Sequence, residues 1–139
     1  MKVAVIYAST TGNTEAMANA INEAVTASGA TVVFGTADSA NKDEVLSSDV
    51  ILLGSPAMGD EVLEDSVEDF YNSIEGSLSG KKVALFGSYD WGDGQWLRDW
   101  EDRIKNAGAT LTTESLKVHL TPEDADVTTC KEWANVAIK

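Results

Sequence analysis

Apolar runs of about four to six residues alternate with stretches in which apolar residues recur every three to four positions. That alternation predicts an α/β fold: a three-layer sandwich of one five-stranded parallel sheet with helices on both faces. Two further observations point the same way. The first and third runs are apolar at consecutive residues, as strands covered on both faces must be. Stretches rich in Gly, Ser, Thr and Asp follow the first, third and fourth runs, where a doubly wound sheet opens at the carboxyl ends of its strands.

The elements follow in order. Val3 to Ala8 is a continuous apolar run and predicts a central strand. After the loop Ser9-Thr10-Thr11-Gly12-Asn13-Thr14, the pairs Ala16/Met17, Ala20/Ile21 and Ala24/Val25 make one helical stripe that ends at Ser28-Gly29. Thr31 to Phe34 is a second, weaker strand, Lys42 to Leu46 a short helix, and Val50 to Leu53 a buried strand stopping at Gly54-Ser55-Pro56. Beyond the loop Ala57-Met58-Gly59-Asp60-Glu61, residues Val67, Phe70, Tyr71 and Ile74 trace a helix. Val83 to Phe86 is the fourth strand and opens into Gly87-Ser88-Tyr89-Asp90-Trp91-Gly92-Asp93-Gly94. Trp96, Leu97, Trp100 and Ile104 mark a helix closed by Gly108, with the tryptophans in the core. Leu116 to Leu120 alternates apolar and polar, as an edge strand does. Thr121 as N-cap and Pro122 at the first helical position then start a last helix, whose buried side is Cys130, Trp133, Ala134, Ala137 and Ile138. No repeat, linker or low-complexity segment interrupts the series, so residues 1–139 read as one domain.

Composition narrows the partners. With 43% hydrophobic residues and no apolar run near membrane-span length, no membrane segment is expected. Met1-Lys2 leads straight into a strand and predicts no signal peptide. Cys130 is the single cysteine, which excludes an internal disulfide and fits a cytoplasmic protein. Ten basic against 23 acidic residues give a net charge of −13. That excludes the basic faces that nucleic acids and anionic membranes require, and it favours a basic partner protein, with solubility alone as the other account.

The first loop carries the most chemistry. Between a strand and a helix it sets unpaired backbone N–H groups around one point, with the positive end of the helix dipole behind them. Ser9, Thr10, Thr11, Thr14 and the Asn13 amide add donors, and Gly12 admits a positive φ. No Lys or Arg lies there, so the pattern suits a phosphate monoester held by neutral donors; a plain hydroxyl-rich N-cap is the competing account. On the other two loops, Met58 and Trp91 are large apolar residues where solvent is expected, suited to sandwiching a planar ring or to covering the sheet edge. Gly59 allows a peptide that flips, and Glu61 can accept from a ring N–H.

Ser9 to Thr14, Ser55-Pro56-Ala57-Met58-Gly59-Asp60-Glu61 and Gly87 to Gly94 together resemble the three flavin mononucleotide loops of short-chain flavodoxins of the clostridial kind. The resemblance covers essentially the whole chain. It implies the strand order 2-1-3-4-5, a non-covalently bound FMN, and a low-potential electron carrier, monomeric and not an enzyme. It further implies that Ser9 to Thr14 bind the phosphate, with Ser55 and Ser88 beside the phosphate and ribityl chain. Met58 and Trp91 would flank the ring, with Pro56, Ala57, Tyr89, Gly92 and Asp93 completing the loops. The Gly59–Asp60 carbonyl would turn toward flavin N5 in the semiquinone, and Glu61 would meet N3–H. Cycling would run chiefly between semiquinone and hydroquinone, among reductases and oxidoreductases with basic faces docking at an acidic rim of Asp60, Glu61, Glu64, Asp65, Asp90 and Asp93. Asp90 departs from the pattern, which has Gly there.

Other classes fit less well. A phosphatase wants Cys and Arg in the phosphate loop, and a phosphorylated receiver wants acids at the first and third strand ends, which are Ala8-Ser9 and Gly54-Ser55. Neither nucleotide-binding glycine motif occurs, and no His, Cys and acid cluster has metal-ligand spacing. His119 stands alone on the edge strand and reads as surface, while a flavin reductase fed by a nicotinamide and a cofactor-free binding module remain as alternatives.

Overall fold

The computed structural model describes residues 1–139. Six parallel strands, β1 (Lys2–Tyr7), β2 (Thr31–Thr36), β3 (Val50–Gly54), β4 (Lys82–Tyr89), β5 (Thr110–Leu111) and β6 (Leu116–His119), form one sheet. The helices are α1 (Asn13–Ala27), α2 (Lys42–Leu46), α3 (Asp65–Ile74), α4 (Gln95–Asn106) and α5 (Asp124–Ala137). The order is β2-β1-β3-β4, with β5 and β6 both along the outer side of β4. This is the doubly wound 2-1-3-4-5 arrangement, but its fifth strand comes in two pieces. Thr110 and Leu111 pair with Lys82 and Val83, and Leu116 to His119 pair with Phe86 to Tyr89. A two-residue segment is too short to display a period of two, so the first piece is invisible in the sequence. The free edge of β4 recruits it: Thr110 N–H donates to Lys81 O at 2.8 Å and Thr112 N–H to Val83 O at 3.0 Å.

Successive side chains of each central strand enter different cores. Val3, Val5, Val50, Leu52, Ala84 and Phe86 pack with α1 and α5. Ala4, Ile6, Ile51, Leu53, Val83 and Leu85 pack with α2, α3 and α4. The two cores hold 19 and 20 buried residues, so neither face of the sheet is solvated and consecutive apolar residues are required. Each fully buried aliphatic side chain contributes about 1.5–3 kcal/mol. Trp96 and Trp100 are each 1% exposed and lie in the core, as their helical spacing predicts.

The last helix departs from the sequence reading at two points. The last helix starts at Asp124 rather than after Thr121, because Glu123 is the N-cap and the Asp126 carboxylate accepts the Glu123 N–H at 2.9 Å. Three residues of spacing between those two acids select the start, which leaves Pro122 ahead of the cap. Trp133 lies at the margin of the buried side, half-buried, with its indole N–H donating to Glu114 O at 2.8 Å. Cys130 is fully buried, as expected.

Candidate functional site

The loop between β1 and α1 has an unusual start to its helix. The N-cap is Gly12 at φ 92°, which has no side chain to cap with, so a hydroxyl at the N-cap position itself does not account for the loop's Ser and Thr. Ser9 Oγ sits inside the turn and accepts the Gly12 N–H at 3.1 Å and the Glu15 N–H at 3.2 Å. The N–H groups of Thr10, Thr11, Asn13 and Thr14 have no acceptor in the protein. Thr10 and Thr11 are exposed, and no cation lies in the loop. Four open donors at the positive end of a 15-residue helix make an anion cradle of neutral groups.

The three loops meet at the carboxyl edge of the sheet. Thr14 is 1% exposed and its hydroxyl shares a 2.7 Å hydrogen bond with Ser88 Oγ, joining the first loop to the third. Ala57 N–H donates to Ser88 O at 3.0 Å, joining the second to the third. Ser55 is fully buried; its hydroxyl donates to Pro56 O and accepts the Glu64 N–H, while its carbonyl accepts the Trp96 indole N–H. Thr14 and Ser55 thus spend their hydroxyls within the protein. Pro56 is buried beside them and Ala57 is half-buried.

Met58 to Val62 form a closed turn. Glu61 N–H donates to Met58 O at 2.8 Å and Met58 N–H to Val62 O at 3.0 Å, with Glu61 at φ 52°. This is a turn closed by a left-handed residue, which costs a non-glycine about 1 kcal/mol or more. The Glu61 carboxylate offsets that cost. Its Oε1 accepts from Gly94 N–H at 3.2 Å and Gln95 N–H at 3.0 Å, capping α4, whose own N-cap is Gly94. Its Oε2 takes no hydrogen bond. Gly92 is required here, since a Cβ would sit 2.5 Å from the Glu61 carboxyl carbon. Gly59 is the opposite case: neither it nor Asp60 has positive φ, and a Cβ on Gly59 would meet nothing within 4 Å.

Trp91 stands 57% exposed on the third loop, and Met58 is half-buried on the second. A cleft of about 230 Å³ is lined by Thr11, Asn13, Pro56, Ser88, Tyr89, Asp90 and Leu120. The first six are among the residues singled out in the sequence; Leu120, at φ 61° and 45% exposed, is not. Two more residues escape the sequence reading. His119 Nε2 lies 2.8 Å from Asp90 O, and Lys117 Nζ donates to Asp93 O at 2.8 Å. Alternation put Lys117 and His119 on one side of the edge strand, but only the packing shows that this side fronts the third loop. Asp90 itself is exposed and not at positive φ, so its backbone tolerates a side chain.

The acidic rim is less uniform than composition suggests. Arg98 donates to Asp93 at 2.8 Å, and that hydrogen bond holds the carboxyl below the usual carboxylate range. Glu64 caps α3 through its Oε2, and Glu61 caps α4. Asp60, Asp65 and Asp90 are exposed and make no ion pair.

Neutral anion donors, a cleft beside them and an exposed indole define a doubly wound α/β protein built to take a phosphorylated ligand at the crossover point of its sheet. The flavodoxin family profile matches residues 5–133. The flavodoxin of Megasphaera elsdenii is 49% identical over 138 residues, 99% of this chain and 98% of that protein. The flavodoxin of Clostridium beijerinckii is 46% identical over 123 residues, covering 88% and 89%. The solution structure of two-electron reduced Megasphaera elsdenii flavodoxin superposes with a TM-score of 0.87 over 98% of each chain. The chain belongs to the flavodoxin family, electron-transfer flavoproteins with FMN as cofactor, which are carriers and not enzymes.

Proposed function

We propose that this chain is a low-potential carrier of single electrons that holds FMN across its three loops and cycles it chiefly between semiquinone and hydroquinone. Its partners are basic-faced reductases and oxidoreductases that dock transiently at the acidic rim of a cytoplasmic monomer. The flavin supplies the one-electron chemistry; the chain binds it, orients it and sets its surroundings. The observation that carries this reading is the cradle of acceptor-less N–H groups of Thr10, Thr11, Asn13 and Thr14 beside the cleft lined by Thr11, Asn13 and Asp90.

In this reading the open N–H groups and the Ser9, Thr10 and Thr11 hydroxyls hold the phosphate, while Asn13 and Ser88 line the path of the ribityl chain. Thr14 and Ser55 keep the loops in register. Met58 and Trp91 face the ring, and the free Oε2 of Glu61 is available to N3–H. Gly59 supports a switching peptide, because its present conformation does not call for glycine and another one would. A carbonyl accepting N5–H would contribute about 1 kcal/mol. Against further reduction stand Asp60, Asp65, Asp90 and the bound phosphate. A unit charge at about 10 Å and an effective dielectric near 20 opposes added negative charge by roughly 1.7 kcal/mol before screening. Those same unpaired carboxylates suit a basic partner, whose association would weaken as salt rises.

A redox titration of the purified protein followed by visible absorption tests the reading. A yellow protein that takes up FMN and passes through two separated one-electron steps supports it. A colourless protein that binds no FMN when offered it overturns it.

A further inference from the structure

We infer that Lys117 and His119 are positioning residues: together they clamp the Trp91-bearing loop and thereby tune FMN affinity. This inference rests on the carrier reading above. The third loop needs an outside restraint, because Gly92 and Gly94 both take positive φ and Trp91 is left 57% exposed between Asp90 and Gly92. The strand β6 and the residue that follows it provide one at three points. Leu120 N–H donates to Tyr89 O at 2.8 Å, His119 Nε2 meets Asp90 O at 2.8 Å, and Lys117 Nζ donates to Asp93 O at 2.8 Å. A carbonyl oxygen only accepts, so Nε2 of His119 carries the proton in this bond.

The spacing makes this a clamp. Lys117 and His119 are two apart on an edge strand and so share a face, about 7 Å apart. The carbonyls they grip, Asp90 O and Asp93 O, bracket Trp91 and Gly92. The stems are held too. Lys117 packs over Gly94, where a Cβ would come within 3.1 Å of its Cδ, and its Nζ lies 5.8 Å from the centre of the Tyr89 ring. The His119 and Tyr89 rings are 5.0 Å apart. A charged edge residue that only prevents strand pairing would extend into water. Lys117 instead turns back to the Asp93 carbonyl, where its 2.8 Å bond is shorter than the 3.2 Å bond from Arg98 Nη1, while Arg98 also holds the Asp93 carboxylate.

The test titrates FMN into apo-protein and follows quenching of flavin fluorescence, with the unfolding midpoint of each apo-protein recorded alongside. Lys117→Met and His119→Leu each raise Kd about fivefold, the equivalent of one net hydrogen bond. Lys117→Arg and His119→Gln, which keep a donor, stay within about twofold of wild type. In a Trp91→Ala background the Met and Leu substitutions change Kd by less than about twofold, because their effect runs through Trp91. Unchanged Kd in Lys117→Met and His119→Leu overturns the clamp, and so does an effect that persists in full without Trp91. Wild type that binds FMN beside unaffected variants sinks the clamp alone, whereas wild type that binds none sinks the carrier reading with it.

Discussion

The hydroxyls of Thr14 and Ser88, 74 positions apart in the chain, meet in a buried 2.7 Å hydrogen bond at the point where the first helix passes the end of the fourth strand. The Ser88 N–H also points at Thr14 Oγ1, at 3.4 Å. A polar pair excluded from water at this place ties the anion cradle to the loop that carries Trp91.

Thr14→Val keeps the shape and leaves Ser88 Oγ buried without its partner. The apo-protein is expected to lose about 1–2 kcal/mol in urea unfolding, and Ser88→Ala a similar amount. The double variant should lose less than the sum, since either single change already breaks the same bond.

Gly59 and Gly92 give opposite outcomes at one site. Gly92→Ala forces a Cβ into the Glu61 carboxylate at a φ of 86°, so it displaces the cap of α4 and should cost the apo-protein about 1–3 kcal/mol. Gly59→Val meets open space and a tolerated φ, and its apo-protein should unfold within about 0.5 kcal/mol of wild type. Its effect belongs in the redox titration instead, as a lower yield of the one-electron state; an unchanged yield removes the peptide switch from the account.

Arg103 donates to both oxygens of Glu68 at 2.8 Å each, and those bonds hold the carboxyl below the usual carboxylate range. A folded pKa below the unfolded one means the pair stabilises the fold above the ordinary carboxylate range. That contribution disappears as pH falls through the folded value. The side chains are 31% and 37% exposed, so screening limits the gain to about 1 kcal/mol or less. Urea midpoints should therefore separate wild type from Glu68→Gln at about pH 7 and draw together as pH falls below the usual carboxylate range.

Burial pushes the Cys130 thiol up to about 11, with the Asp126 carboxylate adding to the shift. A thiol reagent at about pH 8 should leave the native protein unlabelled and label it as urea unfolds it. Labelling that keeps pace with reagent in the absence of denaturant would place Cys130 in a region that opens locally.

Much of this protein is legible in nearest neighbours. Val3 to Ala8 and Val50 to Leu53 read as strands because a doubly covered strand has no polar alternate. The stripe at Trp96, Leu97, Trp100 and Ile104 reads as a helix because its period suits no other element. The loops announce themselves through glycines and hydroxyls clustered beyond the strand ends, which is why the anion cradle, Met58 and Trp91 stand out in the sequence alone.

What tertiary structure alone decided are pairings with long sequence separation. Glu61 reads as an acid on a turn, yet its carboxylate finds the N-terminus of α4 more than 30 positions away because β3 and β4 are neighbours in the sheet. His119 reads as a lone surface imidazole and becomes a grip on Asp90 because a split fifth strand brings it to the end of β4. Sequence determines which segments fold locally, since periods and turns involve residues a few positions apart. Which polar group answers which is determined only when the layers close, because buried donors take the acceptors that packing puts within reach.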